Sequence, residues 1–431
     1  MTYSETIEYL FEKLPMFQRI GPAAYKADLK NIAALCQFLG NPQAKLKCIH
    51  VAGTNGKGSV SSMLAAVLQT SGYKTGLFTS PHLHDFRERI KVDGKVIDRK
   101  KVVEFVERVK PFIESHNPSF FELTVGMCFD YFAKEKVQVA VIETGLGGRL
   151  DSTNIIYPLL CIITNIGWDH QNLLGDTLEK IAMEKAGIVK PGIPLVVSET
   201  NPVTHPVFNA KTRDNVASLY YADEIFKIEN LSYQVTKPGL HFDVLKKGQH
   251  YLKNVQLQLS GLYQVHNVKA VFQSIEVLRN MAYRLSDEHI KKGLAQVVDL
   301  TGLKGRWQIL SQNPLTIADT GHNKNGLDEV SYHLGKLKYS HLHFVMGVVN
   351  DKDLHKLFEA IPKNNVTFYF CKPDVPRGME AKQLKSFANE FGLEGKAFTS
   401  VKAALKAAQK HSEKDDLIFI GGSTFTVAEV I

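Results

Sequence analysis

The sequence contains no apolar run approaching the roughly 18 residues of a membrane-spanning helix. It begins Met-Thr-Tyr-Ser-Glu, with neither a basic region nor an apolar block, so no signal peptide is expected. No run of five like charges marks a nucleic-acid arm, and no internal repeat or low-complexity stretch stands out. Cysteine is sparse: Cys36, Cys48, Cys128, Cys161 and Cys371 are odd in number, scattered and without paired metal spacing. Cys48, Cys128 and Cys161 lie in apolar runs. This usage reads as reduced core thiols of a cytoplasmic protein. What is there in quantity is core-forming material. Of 431 residues, 44% are hydrophobic and 22% charged, enough for two or three domains with sizeable cores. The net charge of +8 suits an anionic substrate. Nucleic acid or a plain solvated surface would explain it too, and small anions are favoured.

The most informative stretch is Cys48–Ser62. A short apolar run leads into Gly53-Thr-Asn-Gly-Lys-Gly-Ser59, and Val60, Met63, Leu64, Val67 and Leu68 then recur at helical spacing. The order strand, glycine turn, helix suits phosphate. Glycines let backbone N–H groups curl around an anion, and the helix start adds partial positive charge. Lys57 supplies a full charge, and the Ser59 hydroxyl is placed to reach a metal. The common P-loop pattern has a hydroxyl residue directly after the lysine, where this chain has Gly58. An ordinary glycine turn is the alternative.

Elsewhere the chain alternates strand and helix. Helices are expected from Ile7 to Leu14, Asp28 to Leu39, Lys100 to His116 and Leu123 to Phe132, with a loop over Phe17–Ala27. Thr75–Thr79 reads as a strand ending beside Ser80. His82 and His84 follow in a polar loop and read as solvated. Val137–Ile142 reads as a buried parallel strand ending in Glu143, and such strand ends face the usual ligand crevice of an open α/β sheet. Glu143 is either a metal or substrate contact or a surface acid in a glycine-rich turn. His170, after the Leu159–Ile163 run, is either a ligand or structural. Asp176-Thr-Leu-Glu179 reads as a capping box starting a helix with Lys185, taken from sequence alone as an exposed lysine. Phe226–Leu259 alternates as a small antiparallel sheet. Helices follow over His266–Met281 and Ser286–Val297. Strand-like Leu315–Ala318, His341–Val349, Val366–Cys371 and Leu417–Ile420 then alternate with helices. The expected architecture is α/β: an N-terminal P-loop domain over 1–297 with the β insertion near 226–259, a linker at 298–305, and a Rossmann-like domain over 306–431.

Six ordered motifs carry a resemblance. They are Gly53-Thr-Asn-Gly-Lys-Gly-Ser59, Thr79-Ser-Pro-His-Leu83, Phe120-Phe-Glu-Leu-Thr124, Gly145-Leu-Gly-Gly-Arg-Leu-Asp-Ser-Thr-Asn154, Asp169-His170 and Glu184-Lys-Ala-Gly-Ile188. Over nearly its whole length the chain resembles the folylpolyglutamate synthase/dihydrofolate synthase family, within the Mur ligase superfamily. The resemblance implies an ATP-dependent ligase. A carboxylate is phosphorylated, and L-glutamate attacks the acyl phosphate. It implies Thr54, Asn55, Gly56, Lys57, Gly58, Ser59, Asn267, Arg306 and Asp319 at ATP, with His322 near the phosphates as a catalytic residue alongside Lys57 and Lys185. It implies Ser80, Glu143 and His170 at magnesium, which manganese can replace, and a carbamylated Lys185 facing a second ion. Phe121, Glu122, Leu150, Asp151 and Ser152 match segments lining a pteroate or folate, although Phe121 and Leu150 also suit a core. Two departures stand out. Asp319-Thr-Gly-His-Asn-Lys324 replaces the frequent Asp-Gly-Ala-His-Asn-Pro, and Tyr263 stands in Gly261-Leu-Tyr-Gln264 where histidine is common.

The expected partners are therefore ATP, L-glutamate and a pteroate or folate, with no nucleic acid or membrane, in a protein taken as a monomer. A cell-wall ligase acting on a nucleotide-sugar peptide, or a nucleotide-binding module without ligase chemistry, are the alternatives.

Overall fold

Cys48–Ala52, Val139–Glu143 and Leu160–Ile163 are buried at every position, the pattern of strands covered on both faces. In the computed structural model they lie side by side at the centre of an eight-stranded sheet. The structure describes residues 1–21, 26–234, 237–350 and 352–431. From one edge the order is Lys95–Val96, Ile90–Val92, Thr75–Phe78, Val139–Glu143, Cys48–Ala52, Leu160–Ile163, Leu195–Val197 and Leu219–Tyr221. Thr75–Phe78 through Leu219–Tyr221 pair in parallel, and the first two strands are an antiparallel extension. The chain leaves Cys48–Ala52 for Thr75–Phe78 on one side and later fills the other side. The carboxyl ends flanking Cys48–Ala52 therefore form a topological switch point, where open α/β sheets bind ligands. The helix Lys57–Thr70, which follows the central strand, is buried continuously from Gly58 to Leu68.

The second sheet runs Gln308–Gln312, Leu315–Ala318, Leu417–Gly421, Leu342–Met346, Val366–Cys371 and Gly395–Phe398. All but the first strand are parallel. Its two faces are packed separately. Phe344, Phe368 and Phe370 meet Leu384 and Ala388 on one side, while Val345, Tyr369 and Cys371 meet Val401, Ala404 and Ala408 on the other. Phe226–Gln234, Lys237–Lys246 and Gln249–Leu257 form a three-stranded sheet, as the alternation over 226–259 implied.

The chain divides into two compact units, Met1–Ser232 with His241–Gln258 and Gln264–Leu303, and Lys304–Ile431 with Tyr233–Leu240 and Leu259–Tyr263. All five cysteines are buried free thiols. No helix among the described residues is long and apolar enough to cross a membrane.

Several local expectations need correction. A short helix, Phe17–Ile20, occupies part of the expected Phe17–Ala27 loop, and residues 22–25 of that loop lie outside the described residues. The helix after Asp176 is capped by Thr177, whose side chain accepts from the Lys180 N–H, while Asp176 pairs with Lys180 on the surface. The short helix Val297–Thr301 takes up part of the expected 298–305 linker. His82 is not solvated. Its Nδ1 accepts from Arg89 Nε at 2.7 Å, and its ring meets Phe86 edge-on.

Candidate active site

The loop Gly53–Ser59 is shaped by close packing as well as by glycine. Gly53 has φ +150°, and a Cβ there would lie 1.8 Å from Thr164 Oγ1. Gly56 takes the left-handed N-cap position at φ +82°, where a Cβ would lie 2.1 Å from Asn267 Oδ1. The neighbouring strand end holds the loop from below. The Asn55 N–H donates to Asn165 Oδ1 at 2.8 Å, the Gly167 N–H donates to Thr54 Oγ1 at 3.0 Å, and Thr164 Oγ1 donates to the Asn55 carbonyl. From above, Gln264 Nε2 donates to Ser59 Oγ at 3.1 Å, and Asn267 Nδ2 donates to Gln264 Oε1 at 2.8 Å. Ser59 and Asn267, expected at the nucleotide, are thus brought to the same loop. Thr164, Asn165 and Gln264 join them. The sequence signal of Thr164 and Asn165 was a position just after a strand, and that of Gln264 its place in Gly261-Leu-Tyr-Gln264.

Two ammonium groups converge on this loop. Lys57 Nζ donates to the carbonyls of Gly53 and Thr54 at 3.1 and 3.0 Å, and Lys185 Nζ donates to the same Gly53 carbonyl at 2.8 Å. Lys185 is 4% exposed, not the surface lysine that helical spacing suggested. Burial, and secondly the charge of Lys57, push its amine down to about 7, with Asp169 and Asp151 opposing.

Glu143, 3% exposed at the end of its strand, accepts the Ser80 N–H on Oε2 at 3.1 Å. Two candidate metal residues from adjacent strands are therefore in contact. His170 sits at a left-handed backbone position with φ +49°, its ring edge-on to Phe17 and 3.8 Å from Asp169 Oδ2. Among the described residues, no three His, Cys, Asp or Glu side chains form a metal-holding group by themselves. Arg89, 4% exposed, is a residue the sequence did not single out. Burial lowers its guanidinium to about 10, and the charge of Glu143 opposes that shift most.

The glycine-rich loop after Glu143 is held by its own aspartate. Asp151 accepts from the N–H groups of Gly145, Leu146 and Thr153 and from Thr153 Oγ1, at 2.5 to 3.0 Å. Burial nonetheless pushes its pKa up. Buried His50 completes the chain through Thr153 Oγ1 at 2.8 Å. Arg149 pairs with Glu184 at 2.9 Å, so this loop lies against the turn that carries Lys185. Phe121 faces Gly145, where a Cβ would lie 2.5 Å from its ring. Leu150 and Ser152 are half-buried in the same loop. Glu122 also serves its own helix. Its Oε2 accepts the Ser119 N–H at 2.6 Å in a capping box for Phe120–Lys134.

In the C-terminal unit, Asp319 follows the strand Leu315–Ala318 and lies against Gly305-Arg-Trp307. Arg306 Nη1 donates to Thr320 Oγ1, and the Thr320 N–H donates to the Gly305 carbonyl at 3.0 Å. His322 Nδ1 lies 3.0 Å from the Thr320 carbonyl. Asn323 caps the helix Lys324–Leu334.

Two family models match the chain: the Mur ligase middle domain over residues 51–275 and the Mur ligase, glutamate ligase domain over residues 305–424. A dihydrofolate synthase/folylpolyglutamate synthase of Bacillus subtilis is 32% identical over 419 residues, spanning 94% of each chain. The chain belongs to the folylpolyglutamate synthase/dihydrofolate synthase family. Solved structures agree with that placement. The Escherichia coli FolC complex with DHPP and ADP superposes with TM-score 0.85 at 26% identity, covering 100% of this chain and 97% of that one. An FPGS complex with AMPPCP and folate gives TM-score 0.83 at 28% identity, with 100% and 98% covered. The family's members are ATP-dependent ligases, and this chain is one of them.

Proposed function

We propose that this protein joins L-glutamate to a pteroate, or to the glutamate tail of a reduced folate, at the cost of one ATP. The observation that carries the reading is the convergence of Lys57 and Lys185 on the Gly53 carbonyl, beside the strand end where Glu143 holds Ser80. An acceptor carboxylate oxygen attacks the γ-phosphorus as the bond to the β,γ-bridging oxygen breaks and ADP leaves. The glutamate amine then attacks the acyl carbon. The C–O bond to phosphate breaks, and the amine releases a proton as the amide forms. Lys57 and the amides of Thr54–Ser59 offset charge on the transferring group, which is where pre-arranged donors lower a barrier most. Asn267 meets the adenine side. Arg306 and Asp319 contact the nucleotide, and His322 lies toward its phosphates.

The donor set suits a hard divalent cation. Ser80 and Glu143 offer oxygen, His170 offers a nitrogen that also accommodates manganese, and phosphate and water oxygens supply the remainder. Magnesium there would neutralise phosphate charge. Lys185 fits carbamylation because burial brings its amine down to about 7, so an unprotonated fraction is present near neutral pH. The ammonium loses one proton, the free amine adds to CO2 and a second proton leaves, so a cation becomes a carbamate whose oxygens are available to a second ion. Phe121 and the loop Leu150–Ser152 form the acceptor side, with Asp151 contributing the loop's shape through its internal bonds. Glu122 supports that wall through its capping box. Residues 1–297 carry the nucleotide and acceptor, and residues 306–431 carry glutamate-ligase functions.

The test is phosphate release with ATP, magnesium, glutamate and a panel of dihydropteroate and folate acceptors. Release is expected only with acceptor and amine together. Turnover on a nucleotide-sugar peptide alone, or on no acceptor, would overturn the assignment.

A further inference from the structure

Asp319 is the hub of its loop. Its Oδ2 accepts two hydrogen bonds, from the Trp307 backbone N–H at 2.7 Å and from the Tyr263 hydroxyl at 2.6 Å. Its Oδ1 accepts one, from the Gly321 N–H at 2.8 Å. Trp307 turns its N–H onto the carboxylate from a left-handed backbone position, φ +48°, and its ring stacks on His333 at 3.8 Å. His333 Nδ1 in turn accepts the Leu262 N–H at 3.3 Å. The segment bearing Tyr263 is therefore fastened to the C-terminal unit by one backbone bond and one side-chain bond, and all these residues belong to that unit.

The tyrosine's place is specifically built. Gly261 packs beneath the ring, and a Cβ there would lie 2.6 Å from a ring carbon. The phenol is also a permanent donor, since burial and the neighbouring Asp319 charge push its pKa well above the ordinary value. A carboxylate offers about four acceptor positions. Two donors on Oδ2 fix its rotation about Cβ–Cγ and leave Oδ1 the less occupied oxygen. Burial pushes the Asp319 carboxyl up, and its hydrogen bonds and the Arg306 charge oppose that shift. An acceptor oxygen held this way recognises a hydrogen-bond donor, and on ATP the donors are the ribose hydroxyls and the adenine amino group.

We infer that Tyr263 is a positioning residue for nucleotide binding: its hydroxyl locks the Asp319 carboxylate so that Oδ1 faces the nucleotide. The inference rests on the reading of Asp319 as a nucleotide contact. A charge-assisted hydrogen bond is worth enough that losing this one is expected to weaken ATP binding about tenfold.

Tyr263→Phe keeps the ring over Gly261 and removes only the donor. In the full-length protein it should raise KM for ATP and Kd for the β,γ-methylene analogue about tenfold. KM for glutamate and acceptor should stay unchanged, a split that a general loss of structure would not give. Gly261→Ala, which displaces the ring and touches neither Asp319 nor nucleotide, should give the same nucleotide-specific loss. In a double-mutant cycle, Tyr263→Phe should add nothing to Asp319→Asn. Unchanged nucleotide affinity in Tyr263→Phe alongside a loss in Asp319→Asn would overturn the positioning role and leave the Asp319 reading standing. Normal affinity in Asp319→Asn would overturn that reading, and the positioning role with it.

Discussion

Lys185 illustrates how far a residue's chemistry is set by what folds over it. Its amine titrates near 7 in the folded protein, against 10.5 ordinarily. Below about 7 both folded and unfolded chains hold the proton, and the native state bears the whole cost of a buried ammonium. Between about 7 and 10.5 unfolding takes up a proton, so this cost fades as pH rises. Carbamylation by 13C-labelled CO2, read by NMR as a carbonyl signal absent in Lys185→Ala, should accordingly strengthen as pH rises through about 7. The same variant should lose roughly a hundredfold in turnover, partly restored by a short carboxylic acid. Unreduced activity would remove the carbamate proposal. The sequence could not announce this burial. Its helical spacing is that of a half-exposed position, and the Gly53 carbonyl that receives the amine comes from 132 residues earlier. Glu122 carries the opposite lesson. Ser119 and Glu122 have capping-box spacing, and the structure displays that local role.

At the scale of elements, continuous apolar runs were the reliable guide. Val139–Glu143 and Leu417–Gly421 are buried along their whole length, and both were readable as strands. Lys95–Val96 and Gly395–Phe398 were not readable. They are sheet edges, short and partly exposed, with neither the apolar content nor the alternation that marks a strand. The loops after the parallel strands were legible as site segments because glycine and polar residues cluster there, but their bracing was not. The contacts of Thr164, Asn165 and His50 depend on which strands become neighbours. The helix Leu178–Ala186, which delivers Lys185, depends on a single side-chain cap from Thr177. Thr177→Ala should lower amide protection in that helix about fivefold in hydrogen exchange, the equivalent of about 1 kcal/mol. Equal protection in both proteins would show the cap to be dispensable.

Over the whole molecule, two α/β units each bury their own apolar cluster, and each hides thiols within it. Cys36, Cys48 and Cys128 belong to one core cluster of the N-terminal unit and Cys161 to another, while Cys371 belongs to the C-terminal unit. Burial raises every one of these thiols, Cys36, Cys48 and Cys161 to about 12, so the nucleophilic thiolate is scarce as well as sheltered. The native enzyme should therefore resist iodoacetamide, and alkylation should begin only as a unit opens. Mass spectrometry of peptides bearing Cys48 and Cys371, sampled along a urea series, then yields two separate fluorophore-free clocks, one per unit. Immediate modification of the native chain would contradict the sealed interior. The scarce sulfur thus makes this chain its own recorder of which half lets go first.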